Sequence, residues 1–191
     1  MNLFKNPKKE IRTRFELNLL HRVQAMELTK PPEPWVNEVI IAASGVDACG
    51  WDHDENIVLI SSSGYSITQP ITGLQMHRDR DSQLTDDRIS GDYLTFKIPC
   101  NDQEISIFGF HAGDGIHITE DGWSLEIIYP WWPRASVLLE NVYVHPYEYL
   151  KNASIIDLKR LDGRIKAGFS PSGQHLLIMG SGGALVYSRS I

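Results

Sequence analysis

The segment AGFSPSGQHLLIMGSGGALVYS, residues 167–188, decides the fold class of this 191-residue chain. Two apolar runs, 175–179 and 184–188, are divided by the glycine-rich stretch 180–183 and preceded by a Ser-Pro-Ser-Gly turn. Proline in the second turn position and glycine in the fourth suit a type I turn, and adjacent glycines suit a hairpin. The segment therefore predicts consecutive antiparallel strands.

The same pattern extends upstream to residue 36. Short runs rich in Val, Ile, Phe and Tyr alternate with Gly, Asp, Asn and Ser at a spacing of about ten residues, with no long helical pattern between them. Since parallel sheets need long crossover connections, this spacing favours antiparallel β structure over a parallel α/β fold. Predicted strands begin at Val36, Asn56, Gly73, Tyr93, Glu104, Gly115, Trp123, Ala135, Ile165, His175 and Ala184.

An amphipathic helix is predicted for residues 8–28, before a proline cluster at 31–34. Its apolar residues recur every three or four positions, so we expect them to form one stripe that is buried against the body of the protein or against a partner. Weaker patterns indicate short helices at 146–151 and 155–160. We therefore predict a mainly β single domain, 1–191, with the N-terminal helix in 1–30 and a β-rich body in 36–191. The stripe consists of Ile11, Phe15, Leu19, Val23 and Met26.

A possible internal repeat comes from three glycine–aromatic pairs placed 59 residues apart. Each pair is followed by a polar turn, an apolar run and a second turn, as in a repeated β unit. The sequence contains five glycine–aromatic pairs in all, so chance spacing is the alternative interpretation. The evenly spaced pairs are Gly50-Trp51, Gly109-Phe110 and Gly168-Phe169.

The last copy, residues 167–188, resembles a blade of a β-propeller over about 22 residues. The resemblance implies repeated blade-like units that form a scaffold and present loops for binding. Three units are fewer than the usual minimum of about four blades, so a three-unit twisted sheet or a blade-like sandwich is the alternative architecture.

Composition excludes several classes of protein. The chain is 42% hydrophobic and 22% charged, which is typical of a soluble globular domain. No apolar stretch approaches the roughly 20 residues of a membrane span, and none follows the N-terminal positive charges as in a signal peptide. We therefore expect a cytoplasmic protein that does not bind membranes. Cys49 and Cys100 have no CxxC spacing, which argues against a disulfide scaffold or cysteine-rich zinc site.

No catalytic motif is complete, so we predict a protein that is not an enzyme and has no cofactor. The serine-rich segments lack the GxSxG pattern, and the glycine-rich stretch 180–183 lacks the Lys-Ser/Thr of a phosphate loop. His111, Asp114, His117 and Asp121 include ligand types that could hold zinc or non-haem iron. Because side chains alternate along a strand, the two histidines need not face one side. We predict no metal site, and a metal-dependent β-fold enzyme using His111 and His117 is the alternative.

Charge is strongly divided along the chain. Residues 1–30 have a net charge of +4, whereas residues 45–126 contain fifteen acidic and four basic residues, a net of −11. Most of these carboxylates fall in predicted turns, where we expect them to be exposed. Such a surface attracts a basic protein and repels nucleic acid, although acidic turns could also simply keep the protein soluble. The predicted partner-binding residues are Asp52, Asp54, Glu55, Asp79, Asp81, Asp86, Asp87, Asp102, Glu104, Asp114, Glu120 and Asp121.

Two aromatic residues, Trp131 and Trp132, lie between two prolines in IIYPWWPRAS, residues 127–136, and Tyr129 directly precedes the first proline. Proline excludes this segment from the centre of a sheet. The aromatic side chains could anchor a protein interface or close the end of a sheet. We favour burial of one of the two tryptophans.

The small acidic chain without catalytic motifs resembles the immunity proteins that bacteria pair with secreted polymorphic toxins. The similarity is carried by DGWSLEIIYPWW, residues 121–132, followed by the segment 167–188. It implies a non-catalytic inhibitor that neutralises a cognate toxin domain by stoichiometric binding. An acidic inhibitor would suit a basic nuclease toxin, whose groove attracts negative charge. An accessory protein that binds other proteins without inhibiting them is a further alternative.

Overall fold

A computed structural model describes residues 12–43, 45–110, 115–159 and 161–190. The fold is mainly β, with 43% of the described residues in strands and 9% in helices, which confirms the predicted fold class. The described elements are β1 (Leu28–Thr29), β2 (Asn37–Ile41), β3 (Val46–Trp51), β4 (Ile57–Ser61), β5 (Gly64–Thr68), β6 (Gln75–Asp79), β7 (Thr95–Lys97), β8 (Glu104–Phe108), β9 (Trp123–Trp131), β10 (Arg134–Asn141), β11 (Ser154–Ile156), β12 (Lys166–Phe169), β13 (His175–Gly180) and β14 (Gly183–Ser188), with helices α1 (Arg14–Gln24) and α2 (Ser82–Asp86).

The described strands form three sheets. The first has the order β1-β11-β10-β9, the C-terminal sheet has the order β12-β13-β14-β2, and the six-stranded sheet has the order β6-β5-β4-β3-β8-β7. Every neighbouring pair of these described strands is antiparallel except β1 with β11. Most sheet neighbours are also neighbours along the chain, as expected when short turns connect strands.

The C-terminal sheet is the central layer of the core. Leu176 and Ile178 pack in one cluster with residues of β9 and β10, whereas Leu177 and Met179 pack in another with residues of β3 and β4. Because successive side chains of β13 point to opposite faces, both faces of this strand are buried. The unbroken apolar run Leu-Leu-Ile-Met is the sequence pattern of such a strand.

Two of the three glycine–aromatic copies adopt the same structure. After Gly50 and after Gly168 the chain forms a turn, a strand, a second tight turn and a further antiparallel strand, giving the paired meanders β3–β5 and β12–β14. The middle copy differs. Gly109 follows β8, and the segment 115–119, predicted as a strand, makes only isolated bridges at Ile116 and Ile118.

The glycines of these two pairs lie where another backbone approaches closely. A Cβ atom on Gly50 would be 2.5 Å from the carbonyl oxygen of Ser106 in β8, and one on Gly168 would be 2.8 Å from the Cα atom of Gly115. Real Cβ atoms do not come this close to backbone, so close strand packing accounts for glycine at both positions.

Helix α1 begins at a capping box. The Thr13 side chain accepts a hydrogen bond from the Glu16 backbone N–H, and the Glu16 carboxylate accepts one from the Thr13 N–H. The helix ends at Gln24, four residues before the predicted end at residue 28. Leu28 instead pairs with Ile155 in β11, which draws the chain into an extended conformation.

The predicted apolar stripe of α1 is only partly buried. Val23 is buried, and Leu19 and Met26 pack beside it against Leu138, Leu150 and Ile155. Phe15 is 71% exposed, so it is not buried against the body of the protein. Only the C-terminal half of the stripe contacts the first sheet. Ile11 lies outside the described residues.

Several strands were not predicted. β3 and β5 were missed, and β11 lies where a helix was predicted at 155–160. Pairing of β11 with both β10 and β1 stabilises the extended chain there. Residues 146–151, also predicted as a helix, form turns. Among the described residues, neither helix has the combination of length and apolar character that spanning a bilayer requires.

Candidate functional site

A cavity of about 540 Å³ opens between the six-stranded sheet and the C-terminal sheet. Trp51, Phe108 and Phe169, at the ends of β3, β8 and β12, are the aromatic residues among those that line it. The lining also includes three carboxylates, and none of its described residues is a lysine or arginine. We call this cavity the acidic cleft; its carboxylates are Asp52, Glu55 and Glu104.

Asp52 is held in the turn that connects β3 to β4. Its Oδ1 atom accepts hydrogen bonds from the backbone N–H of Asp54 at 3.0 Å and of Asn56 at 2.7 Å. The side-chain amide of Asn56 donates to Oδ2 at 3.0 Å. Asp52 is 7% exposed, contrary to the expected exposure of these acidic residues, because its carboxylate stabilises the turn.

Glu55 joins the corresponding turns of the first and third copies. Its carboxylate accepts hydrogen bonds from the Ser172 backbone N–H at 2.6 Å, from the Ser172 hydroxyl at 2.5 Å and from the Ser170 hydroxyl at 3.0 Å. Its backbone is left-handed, with φ of 58°. We call this arrangement the Glu55 clasp. It fixes a negative charge in the wall of the cleft.

His175 packs behind the same wall. Its ring is stacked on Trp51 with the centroids 5.8 Å apart, and its Nδ1 lies 2.7 Å from the Ser188 hydroxyl. Burial lowers the pKa of His175, although Glu55, whose Oε2 is 3.9 Å from Nε2, acts in the opposite direction. The lowered pKa favours the neutral form of the His175 imidazole beside the negative charge of Glu55.

Glu104 is the accessible carboxylate of the cleft. It is exposed at the start of β8, opposite Lys97 of β7. The Lys97 ammonium instead pairs with Asp102 at 3.3 Å. Among the described residues, no hydrogen bond or ion pair engages the Glu104 carboxylate, so it remains available to a ligand.

The structure brings part of the predicted acidic set to the cleft. Asp54 is exposed in the turn beside Asp52 and Glu55. A second group surrounds α2, where Asp81 accepts a hydrogen bond from the Leu84 N–H as the helix N-cap. Asp114 lies outside the described residues. The members of the second group, none of which lines the cleft, are Asp79, Asp81, Asp86 and Asp87.

Asp102 and Glu120 also lie apart from the cleft lining. Asp102 pairs with Arg88 at 3.0 Å and with Lys97, and these hydrogen bonds lower its pKa. Two cations therefore neutralise much of its charge. Glu120 is exposed in the turn before β9.

Asp121 makes a bidentate ion pair with Arg189. The two guanidinium nitrogens donate to its oxygens at 2.7 and 2.8 Å, and the Thr119 hydroxyl donates at 2.6 Å. These bonds, that to Arg189 first, lower the pKa of Asp121 to about 2. The same guanidinium lies 4.6 Å from the ring centroid of Trp35. Asp121 therefore has an internal partner.

We predict that Asp121→Asn lowers the free energy of unfolding at pH 7 by no more than about 1 kcal/mol, because the side chain is half exposed and screened by solvent. The folded pKa of about 2 lies below the unfolded value of about 3.9. The stabilisation is therefore complete above about pH 4 and is lost as the pH falls through about 2. Urea unfolding of the wild type and of Asp121→Asn across this pH range measures the difference in unfolding free energy, and Glu120→Gln is the control. A difference that does not change with pH would contradict the stabilising role of the Asp121 carboxylate.

The aromatic hairpin between β9 and β10 is exposed. Trp131 is 38% and Trp132 77% exposed, so the predicted burial of one of them is wrong. Trp132 instead packs on Tyr129, with ring centroids 5.5 Å apart. Pro130 is accommodated because β9 is an edge strand, as its sequence predicted.

The predicted alternative of a metal-dependent enzyme involves residues outside the described part of the chain, His111 and Asp114. His117 is half-buried, and its Nε2 has no hydrogen-bond partner among the described residues. The described residues contain no group of three metal-ligand side chains. The alternative therefore remains a prediction.

Sequence analysis did not identify the residues that contact Glu55 and Trp51 from behind the cleft lining. Ser170, Ser172 and His175 were assigned only to a turn and a strand. The signal that could have found part of the wall was the repeat, which places Trp51 and Phe169 at equivalent positions.

Comparison of the chain with protein-family models, with curated proteins and with solved structures finds no match.

Proposed function

We propose that this protein is a non-catalytic binding module that takes a basic protein partner at the acidic cleft. The observation that carries the proposal is the composition of the cleft lining. Three carboxylate residues and three aromatic residues line a cavity that has no lysine or arginine among its described lining residues. Its volume is within the range of about 300–1,000 Å³ that is typical of ligand sites.

The negative charges of the cleft are organised before any partner arrives. Asp52 is held by backbone and amide donors, and Glu55 is held by the two serines of the clasp. Fixed charges do not have to be reoriented on binding, and a concave acidic site concentrates the field that steers a basic protein. Glu104 adds a carboxylate that can contact the partner directly.

The same hydrogen bonds favour binding over acid–base catalysis. A general acid or base must reach a substrate proton with a carboxyl or imidazole group that is free to exchange it. Both oxygens of Asp52 and both oxygens of Glu55 already accept hydrogen bonds inside the protein. They therefore serve as fixed charges rather than as proton carriers.

The more specific form of the proposal is neutralisation of a toxin. The resemblance to immunity proteins implies a stoichiometric inhibitor, and a basic toxin domain such as a nuclease has a groove that complements an acidic cleft. Binding there would block access of the substrate without any chemistry in the inhibitor. An accessory protein would use the same cleft but would leave the activity of its partner unchanged.

The test begins with affinity purification of the protein from its native host and mass spectrometry of what co-purifies. Asp54→Lys with Glu104→Lys should then slow association with that partner at least tenfold at low salt, while the wild-type rate falls as salt increases. Asp86→Lys with Asp87→Lys near α2 is the matched control, because it makes the same change in net charge away from the cleft lining.

If both double variants slow association equally, binding depends on net charge alone, and the acidic cleft is not the binding site. Loss of the partner's toxic activity at one equivalent would support the immunity function, and full activity of the bound partner would refute it. Turnover of a small molecule in the absence of any protein partner would remove the proposal altogether.

A further inference from the structure

We infer that the free edge of β2 is a second binding site, which takes an extended peptide segment with an acidic side chain. The site lies beside a cavity of about 320 Å³ between the C-terminal sheet and the six-stranded sheet. None of its described lining residues lines the acidic cleft, so the inference does not depend on the proposed function. We call this cavity the β2 groove. Its described lining includes Ile40, Ser66, Thr68, Gln75 and Arg78.

β2 is an edge strand of the C-terminal sheet, because it pairs with β14 on one side only. On its other side, the backbone N–H and C=O groups of residues 38–41 have no hydrogen-bond partner among the described residues. Such an edge is a template for a further strand, and the sequence NEVII contains no proline or lysine that would discourage pairing. Ile40 is 63% exposed on this strand. The edge can therefore accept an extended peptide by β-augmentation.

The six-stranded sheet continues past β2 and gives an added strand a surface to lie on. Ile41 of β2 and Leu59 of β4 pack in one cluster, and both line the groove. Beyond β4 the six-stranded sheet continues with β5 and β6, whereas the C-terminal sheet stops at β2. The groove therefore lies where a strand added to β2 would face β5 and β6.

Two hydroxyl groups in the groove have no partner within the protein. Tyr65 and Ile67 of β5 pack into the core on the other face of the six-stranded sheet. Because side chains alternate along a strand, Ser66 and Thr68 point to the groove, which both residues line. These two residues are only 4% and 2% exposed. Neither hydroxyl has a hydrogen-bond partner among the described residues, yet neither is sealed from solvent. They are therefore available to a group that enters the groove.

Arg78 supplies the charge that selects the peptide. It pairs with Ser66 across β5 and β6, so its side chain lies on the same face of the sheet. It is exposed, makes no ion pair among the described residues, and is the one charged residue of the described lining. The neighbouring Asp79 pairs with Tyr65 and points to the opposite face. A guanidinium beside two hydroxyls is a set of donors that suits a carboxylate.

A second copy of this chain fits the groove less well than a separate acidic peptide. Pairing of β2 with β2 of another molecule would bring Glu38 as the one carboxylate of the strand. The Glu38 carboxylate already pairs with Lys30 at 3.1 Å and with Lys159. Arg78 would then remain without a carboxylate, whereas an acidic side chain of a separate peptide would pair with it.

The test uses the full chain and a blocked seven-residue peptide, with threonine at every odd position, valine at the second and sixth positions and glutamate at the fourth. NMR titration should give a dissociation constant of about 1 mM or tighter. The same peptide with glutamine at the fourth position should bind about tenfold more weakly, because it cannot make charge-assisted hydrogen bonds. Hydrogen exchange of the backbone amides within residues 37–41 should slow on binding.

Backbone N-methylation of the peptide tests strand addition. Alternate N–H groups of an added strand face its neighbour. Of two versions of the glutamate peptide, one methylated at odd and one at even positions, one should therefore lose binding and the other should keep it.

Arg78→Gln should weaken binding of the glutamate peptide about tenfold, and Ser66→Ala with Thr68→Val should weaken it about threefold or more. Arg80→Gln is the matched control, because Arg80 is exposed and close in sequence but is not among the described lining residues. Thermal unfolding of each variant verifies that the fold is retained.

Equal binding of the glutamate and glutamine peptides, or equal effects of Arg78→Gln and Arg80→Gln, would overturn the carboxylate site. Equal binding of the two N-methylated versions would overturn strand addition. Self-association of the chain through β2, detected by sedimentation and unaffected by the peptide, would assign the edge to a second copy. Failure of the glutamate peptide to bind would refute this inference alone, because the proposed function is tested with the variants of the acidic cleft.

Discussion

Trp35→Ala is expected to lower the free energy of unfolding by about 3–5 kcal/mol, the usual cost of deleting a buried tryptophan. Trp35 is 1% exposed and is among the largest fully buried side chains. Its ring stacks on Phe169 at 5.3 Å and meets Trp123 edge-on at 6.1 Å, so it joins the C-terminal sheet to the first sheet. Alanine would leave a cavity at this junction. Equilibrium unfolding in urea or guanidinium measures the loss.

Trp132→Ala is the matched control, since Trp132 is 77% exposed at the tip of the hairpin between β9 and β10. It removes the same side chain at little cost, and we expect a change within about 0.5 kcal/mol. Comparable losses from both variants would show that Trp35 is not the packing centre that the structure assigns.

Glu55→Ala is expected to cost about 2–3 kcal/mol, because hydrogen bonds to a charged group are stronger than neutral ones. The variant removes the three hydrogen bonds of the Glu55 clasp and leaves the Ser172 backbone N–H without its acceptor. The side chain is 19% exposed, so water replaces these bonds only in part. Glutamate and alanine both have a Cβ atom, so the left-handed backbone at residue 55 strains the two side chains to a similar degree and the loss of stability reports mainly on the carboxylate.

A double-mutant cycle with Ser172→Ala isolates the clasp. The two side chains are in contact, so their effects should be non-additive by about 1 kcal/mol or more. Glu120→Ala, at an exposed carboxylate, is the control and should have little effect. Strict additivity of Glu55→Ala and Ser172→Ala would mean that the contact contributes nothing to stability.

The strands that sequence analysis predicted correctly are those whose own residues carry a strong pattern of turn residues and apolar runs. The segment 167–188 combines turn residues with continuous apolar runs, and it forms β12, β13 and β14 as predicted. β3 and β5 were missed because they contain Gly50 and Gly64, which weaken local strand preference. They are strands because each pairs on both sides.

Sequence analysis predicted which acidic residues carry the charge of the site. It could not predict how these residues are buried and hydrogen-bonded. Glu55 contacts Ser172 across 117 residues of sequence, and no local pattern encodes such a contact. The burial of Asp52 follows from hydrogen bonds within its own turn, which the Asp-His-Asp-Glu sequence does not distinguish from a solvated turn. Similarly, the spacing of Phe15 in α1 indicates a face of the helix but not how far the sheet extends beneath it.

The position of β2 in the C-terminal sheet has a consequence for the order of folding. β2 hydrogen-bonds to β14, from Asn37 with Ser188 to Ile41 with Ala184, so during synthesis it waits about 150 residues for its neighbour. Contacts this distant in sequence are slow to form, because loop closure must precede any gain from pairing. Until then Ile41 and Val39 lack the residues of β13 and β14 against which they pack in the folded protein. A ribosome stalled before β14 would therefore hold a chain prone to aggregation, and rapid release or chaperone binding would matter more than final stability.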